Sequence, residues 1–433
     1  MTTDLGDRPL ISGQVLGMLG QLRALFSEKT VRDRLIPQTH RQAPVPLRGS
    51  RIARRDSVNA LWRKLREAGP AGIHDERALA DEQTLDTAER YAANIENMIG
   101  TVKVPVGVIG PLSIAGLYAN GDFFVPLATT EAALVASYAR GADIVARSGG
   151  ISAAILSEGV LRSPGFRFSN LVEAGLFVDW VVRSATDLRA AAEATTHHGK
   201  LVSIDPIMDN DIVFLLCRYT TGDASGQNMV TLATDALCRR IETRCPVRPQ
   251  HWFVEANFSG DKKSTYLALL SGRGRKVTAS ATIPASTVEA GLHVSVNGIM
   301  NYVQMASIGA ALSGQLGAQG HYANGLAALY IATGQDAACV SESAIGMTRM
   351  ENRDGDLFVS VTLPNILVGS VGGGTHLPSQ KAALNILGLS GDGNAAALAE
   401  IAAALCLCGE VSIIGAIAAG EFTRAHRKLA RER

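Results

Sequence analysis

The feature that most constrains this chain lies near its C-terminal end, where Ile401 to Gly420 is almost wholly apolar, rich in Ala and Gly, and interrupted by Glu410. About 20 apolar residues are long enough to cross a bilayer. A carboxylate inside the run and so many small side chains favour instead a helix enclosed by protein. The expectation is a buried helix within a helical run from Ala395 to His426. A chain of 433 residues exceeds one ordinary core, so two or three packed units of roughly 100–200 residues are expected.

Lys plus Arg number 41 against 40 Asp plus Glu, so no field of one sign attracts nucleic acid or an anionic membrane, and neither is expected as a partner. Cys217, Cys238, Cys245, Cys339, Cys406 and Cys408 show no paired CxxC framework. They point to reduced thiols in a cytoplasmic protein, with no metal centre. The N-terminus lacks the basic region, apolar run and cleavage site of a secretion signal.

Along the chain, a basic, proline-containing arm precedes helical patterning that starts near Val58, with short amphipathic helices over Arg63–Ala68 and Glu76–Asn94. From Gly100 the run Val104-Pro105-Val106-Gly107-Val108-Ile109-Gly110-Pro111 forbids a helix and favours extended backbone. Thr129-Thr130-Glu131 is expected to open an Ala-rich helix, with threonine as N-cap. Between about 168 and 255, a helical stretch (Val172–Thr195), a strand (Ile212–Tyr219) and a helix after Asn228 suggest a compact α/β insert. Strands over Lys276–Ile283 and Leu357–Leu363 follow.

Taken singly, the chemically suggestive residues have ordinary readings. Glu131 is a dipole partner at a helix start, Asp261-Lys262-Lys263 a solvated turn, and His426 a surface residue in a basic tail. Gly372-Gly373-Gly374-Thr375 can be a tight turn or a backbone surface for a phosphate or a nicotinamide amide. Asp336 stands among apolar residues, where a carboxylate needs a partner or a raised pKa. Gly391-Asp392-Gly393 follows a helix rather than a strand, so there is no Rossmann fingerprint.

Together they say more. Glu96-Asn97-Met98-Ile99-Gly100 with the Val104–Leu112 segment, Thr129-Thr130-Glu131, Gly222-Asp223-Ala224-Ser225-Gly226-Gln227-Asn228-Met229, Asp261-Lys262-Lys263, Gly334-Gln335-Asp336-Ala337-Ala338 and Gly372-Gly373-Gly374-Thr375 resemble, in order, the motifs of the HMG-CoA reductase family. The likeness runs from about residue 90 to the C-terminus and is to the soluble bacterial type with the Asp-Lys-Lys motif. It implies an α+β fold that is not Rossmann: a large domain (96–167 and 256–433) round a long central helix, an inserted small ferredoxin-like α/β dinucleotide-binding domain (168–255), and an N-terminal arm and small helical domain (1–95).

The resemblance also implies NADPH-dependent reduction of HMG-CoA to mevalonate and CoA; the alternatives are an enzyme of this family that reduces a different acyl-CoA or prefers NADH, and a non-catalytic acyl-CoA-binding homologue. Reducing a thioester to an alcohol takes two hydrides, and negative charge develops on one oxygen at each stage, which calls for a fixed cation. Lys262 matches that cation, Glu131 the acidic proton donor, Asp336 a carboxylate tuning the Lys262–Glu131 pair in a shared buried network, and His426 the group that protonates the CoA thiolate. Asn324, Arg167, Lys263, Glu96 and Asn97 match substrate-binding or interface positions. Asp223, Asn228, His197, Lys200, Gly372, Gly373 and Gly374 match the cofactor side. A homodimer or higher homo-oligomer, with the active site at the subunit interface, is implied as well.

Two residues depart from the family pattern. Glu255 stands where the family commonly has a serine that helps to hold the distal carboxylate of the substrate. Two like charges near 4 Å repel by about 4 kcal/mol at an effective dielectric of 20, so Glu255 must either turn towards Arg167 or another cation or alter the acyl group accepted. His197 takes the place of an arginine offered to the 2′-phosphate, and Lys200 stands near enough in sequence to compensate.

Overall fold

A computed structural model describes Gly20, residues 49–50 and residues 52–421. His426 lies outside the described residues. The first unit comprises α1 (Arg55–Ala68), α2 (Ile73–Leu79), α3 (Glu82–Asp86) and a 3₁₀ turn, Ala88–Tyr91. The helix expected over Glu76–Asn94 is thus broken into three pieces. Asp81 caps α3, its Oδ1 accepting from Thr84 N at 2.9 Å, and thereby starts a new helix inside the expected one. Val58, Trp62, Ala88 and Met98 form a small core of their own, and Trp62 Nε1 donates to Ile99 O at 2.7 Å.

The strands are β1 (Val106–Gly116), β2 (Asn120–Ala128), β3 (Ile151–Arg162), β4 (Gly165–Arg167), β5 (Lys200–Asp209), β6 (Ile212–Thr220), β7 (His251–Phe253), β8 (Gly274–Ile283), β9 (Gly317–Ala318), β10 (Gly346–Arg353) and β11 (Asp356–Ile366). Interleaved with them are α4 (Leu134–Arg147), α5 (Leu171–Arg183), α6 (Ala185–Glu193), α7 (Gln227–Arg244), α8 (Tyr266–Ser271), α9 (Ala285–Leu292), α10 (Val296–Ser313), α11 (Tyr322–Thr333), α12 (Val340–Ser343), α13 (Pro378–Leu387) and α14 (Ala395–Ala418). One path of pairing runs β7-β4-β6-β3-β8-β11-β10-β9, with β5 on the far side of β6 and the β1–β2 hairpin on β3. The long strand β3 therefore serves both units. Its first residues pair with β8, and Val160–Arg162 pair with β6. The sheet of the small α/β unit also takes in β4, just ahead of residue 168.

The apolar run forms α14, buried along nearly its whole length against α4, α10, α11, β8 and β11. Glu410 does not break it. Its two oxygens accept from Gly320 N (2.7 Å), His321 N (2.8 Å) and Thr348 Oγ1 (2.7 Å), so a buried charge is fully hydrogen-bonded. Glu400, one end of the helix away, accepts from Tyr118 N and Ala119 N. The helix α4 crosses α14 so closely that a Cβ on Gly141 would stand 1.9 Å from Cys408 O. Small residues in both helices permit that approach.

Candidate active site

The expected helix start at Thr129 is corrected by the structure: α4 begins at Leu134, and Ala133, in the left-handed region at φ 70°, precedes it. Thr129 Oγ1 accepts instead from Glu131 N at 3.0 Å, holding Glu131 in an exposed turn ahead of the helix. Glu131 there lines a cavity of about 540 Å³ with Arg140, His321, Asn324, Ile413 and Ile417.

The polar wall of this cavity is held from behind. His321 Nε2 is 2.9 Å from Gly409 O, which can only accept, so that nitrogen donates, and Nδ1 lies 3.3 Å from Asn324 Nδ2. Glu410 fixes the backbone of the same turn through Gly320 and His321. The amide of Asn324 is thereby oriented by the imidazole and by a buried carboxylate on α14.

Lys262 is elsewhere, on the loop between β7 and α8, with φ 56°, a backbone conformation that disfavours any side chain but glycine's. Its Nζ lies 2.9 Å from Asp336 Oδ2, and their side chains are 44% and 39% exposed. Asp336 raises the lysine pKa above its ordinary value, first through this hydrogen bond and then through its charge. Asp336 also accepts from Ala338 N at 3.0 Å through Oδ1. The carboxylate isolated among apolar residues has found its cation, as its setting required. The network of Lys262, Glu131 and Asp336 implied by the resemblance is not assembled within a single chain. Within one chain, the lysine and Asp336 are a half-exposed pair, and Glu131 lines a cavity to which neither contributes.

Behind Lys262 the chain is far more buried. Asp261 is held between two arginines: Arg162 Nη1 lies 3.0 Å from Oδ2, and Arg273 Nη2 lies 2.7 Å from Oδ1. Arg162 also meets Glu255 Oε2 at 3.2 Å, and Ser259 Oγ donates to the same oxygen at 2.8 Å. The anion Glu255 thus has another cation as its partner, and not Arg167, which pairs with Asp211 at 3.3 Å on the exposed side of β4. Lys263 donates to Asp261 O at 2.7 Å and is otherwise exposed.

The motifs proposed for the cofactor side are knit together. Gln335 makes a paired contact with Gly369, accepting from its N at 2.8 Å and donating to its O at 2.9 Å. A Cβ on Gly334 would lie 2.4 Å from Gly374 O, so the loops of Asp336 and of Gly372–Thr375 touch backbone to backbone. Arg275 Nη2 donates to Gly222 O at 2.6 Å, and its Nη1 to Val368 O at 3.0 Å. Asp223 accepts from Gly393 N (2.8 Å) and Ala395 N (3.1 Å), satisfying free donors at the start of α14. That carboxylate has a structural task. Beside it, Asn228 is exposed in the first turn of α7. Gly372 and Gly373 have positive φ with no heavy atom within 4 Å of where a Cβ would stand, so this turn offers bare backbone to a flat or anionic ligand. His197 and Lys200 are exposed at the end of the small unit, the latter 3.3 Å from Glu193.

Glu96 is exposed, and Asn97 accepts from Gly49 N at 2.8 Å, tying the arm to the first unit. Neither meets Lys262 or Glu131 in the contacts of a single chain.

Residues 57–431 match the family described as Hydroxymethylglutaryl-coenzyme A reductase. The 3-hydroxy-3-methylglutaryl-coenzyme A reductase of Aeropyrum pernix is 44% identical over 354 residues, which cover 80% of this chain and 84% of that one. The chain belongs to the HMG-CoA reductase family. The Methanothermobacter thermautotrophicus reductase is 40% identical, with 80% and 88% covered. A class II HMG-CoA reductase from Streptococcus pneumoniae, solved bound to NADPH, shares the fold with a TM-score of 0.61 at 18% identity, over 80% of this chain and 95% of that one. The α+β, non-Rossmann architecture expected from the motifs is the one observed.

The contacts bring further residues to these motifs. Arg162, Arg273, Glu342, His321 and Glu410 are contiguous with the HMG-CoA reductase motifs in space, and none stood out as a functional residue in the sequence. The available signals were weak: arginines set between glycines in Gly272-Arg273-Gly274-Arg275, and single acids inside apolar runs.

Proposed function

We propose that this chain reduces 3-hydroxy-3-methylglutaryl-CoA to mevalonate and CoA with NADPH. The observation that carries the reading is the Lys262 ammonium, fixed at 2.9 Å from Asp336 on a strained turn backed by buried arginines. A cation held in this way lowers the cost of charge on the thioester oxygen, and again on the aldehyde oxygen, without reorganising. Glu131, on the polar wall with Asn324, supplies a proton to that oxygen. His426 protonates the departing CoA sulfur. Arg167 and Lys263 hold the distal carboxylate.

The exposed backbone of Gly372–Gly373 together with Asn228 suits the nicotinamide end of the dinucleotide, and His197 with Lys200 the 2′-phosphate end. NADPH supplies the two hydrides. The proposed location is the cytoplasm, in keeping with six buried, unbridged cysteines.

The active form is a homo-oligomer in which Glu131 and Asn324 of one copy face Lys262 and Asp336 of another. Two facts support this: the two groups line separate places in one chain, and α10 exposes Met305, Ile308 and Leu312 to no partner among the described residues. Purified protein with HMG-CoA should consume two NADPH per mevalonate, followed at 340 nm. A folded protein that oxidises neither NADPH nor NADH would overturn the assignment.

A further inference from the structure

Five charged side chains alternate in sign behind the lysine turn: Glu255, Arg162, Asp261, Arg273 and Glu342. Arg273 and Glu342 are 0% exposed and Arg162 is 5% exposed. Arg273 bridges the two acids, with Nη2 at 2.7 Å from Asp261 and Nη1 at 2.5 Å from Glu342. Such burial is a poor route to stability, because desolvating the charges costs about as much as their attraction returns. Here it also leaves Arg273 Nε and Glu342 Oε1 without hydrogen-bond partners. Burial raises the Glu342 pKa, and the arginine opposes the rise.

What this arrangement does is join two loops. Asp261 immediately precedes Lys262, and Glu342 lies on α12, the short helix that follows Asp336 and its 3₁₀ turn. Asn365 makes a second rivet at the same place, accepting from Arg273 N at 2.7 Å and donating to Glu342 O at 2.9 Å. We propose that Arg273 is a positioning residue that sets the separation of Lys262 and Asp336 by clamping Asp261 on one side and Glu342 on the other. The planar guanidinium spans both acids with separate nitrogens in a fixed fork, which a lysine ammonium cannot reproduce. The inference rests on Lys262 being the cation of the reaction.

The groups acting electrostatically on Lys262 are Asp336, Cys339 and Asp261. Cys339 is a buried thiol whose pKa burial pushes far up, so it stays neutral through the working range. If Arg273 is lost, the pair with Asp336 loosens and the lysine deprotonates at lower pH. Arg273→Lys should lower kcat about a hundredfold, the scale of a small misplacement at a reacting centre. The apparent KM for HMG-CoA should stay within about threefold, and the alkaline limb of the kcat profile should move to lower pH.

A merely structural role would lower Tm but leave the profile per folded enzyme superimposable on that of the parent, and that outcome overturns the proposal. Should Arg273→Lys fail to fold, Glu342→Gln, which keeps the volume and one acceptor, decides by the same two readouts. A displaced limb supports the clamp and an unmoved one rejects it. Lys262→Met tests the underlying reading separately. If it keeps full activity, the assignment of Lys262 fails; if it is inactive while the limb is unmoved in the Arg273 variant, only the clamp fails.

Discussion

The surroundings of Lys262 and of Glu131 are built on opposite principles. The lysine stands half in solvent on a left-handed turn, yet the layer beneath it is a chain of buried ion pairs. Glu131 stands on an exposed turn over a cavity walled mainly by small and apolar side chains, and the layer beneath it is the His321 imidazole with a fully hydrogen-bonded Glu410. The first region fixes a charge, whereas the second fixes the shape of the cavity around an acid. A reaction that needs a permanent cation and a transferable proton at one oxygen calls for both kinds of support.

Substitutions in the two regions should separate by the size of their effects. Lys262→Met removes the preorganised cation and should lower kcat by about a thousandfold while the protein still folds and binds NADPH, as measured by steady-state kinetics and cofactor fluorescence. Glu131→Gln should cost about a hundredfold, the scale of a lost general acid, with little change in Tm because the residue is exposed.

Asp336→Asn isolates the electrostatic part. The folded pKa of Lys262 is raised by Asp336, so the contribution of the pair is complete below the ordinary lysine pKa of about 10.4 and is lost as pH rises through the folded value. The alkaline limb of kcat should therefore move down in Asp336→Asn, while Glu131→Gln leaves that limb in place. Glu255→Ser should do least: its carboxylate faces Arg162 and Ser259, so KM for HMG-CoA should stay within about threefold. A large fall in KM would mean that the acid reaches the carboxylate site after all.

These differences also mark what the sequence could disclose. Lys262, Asp336 and Glu131 stand in ordered motifs, and the buried helix was legible because apolarity without a period has few other meanings in a chain with no charge excess. Glu410 was readable as an interruption but not as a member of the helix, because its partners Gly320, His321 and Thr348 lie far away in sequence. The start of α4 was misplaced because Thr129 makes a local turn with Glu131 in preference to capping. The arginines behind Lys262 were invisible for the same reason as the partners of Glu410. Arg162, Asp261, Arg273 and Glu342 meet only once β3, β8 and α12 have assembled.

The separation of the two regions within one chain, and their proposed meeting between copies, is tested most directly by mixing two inactive variants. Lys262→Met and Glu131→Gln, each nearly inactive alone, should regain about a quarter of parental activity when co-expressed and purified together, because random pairing leaves one intact combination in half of the dimers. If activity in the mixture stays at the level of the separate variants although mixed assemblies have formed, Lys262 and Glu131 must act from the same chain, and the account of two half-sites is wrong.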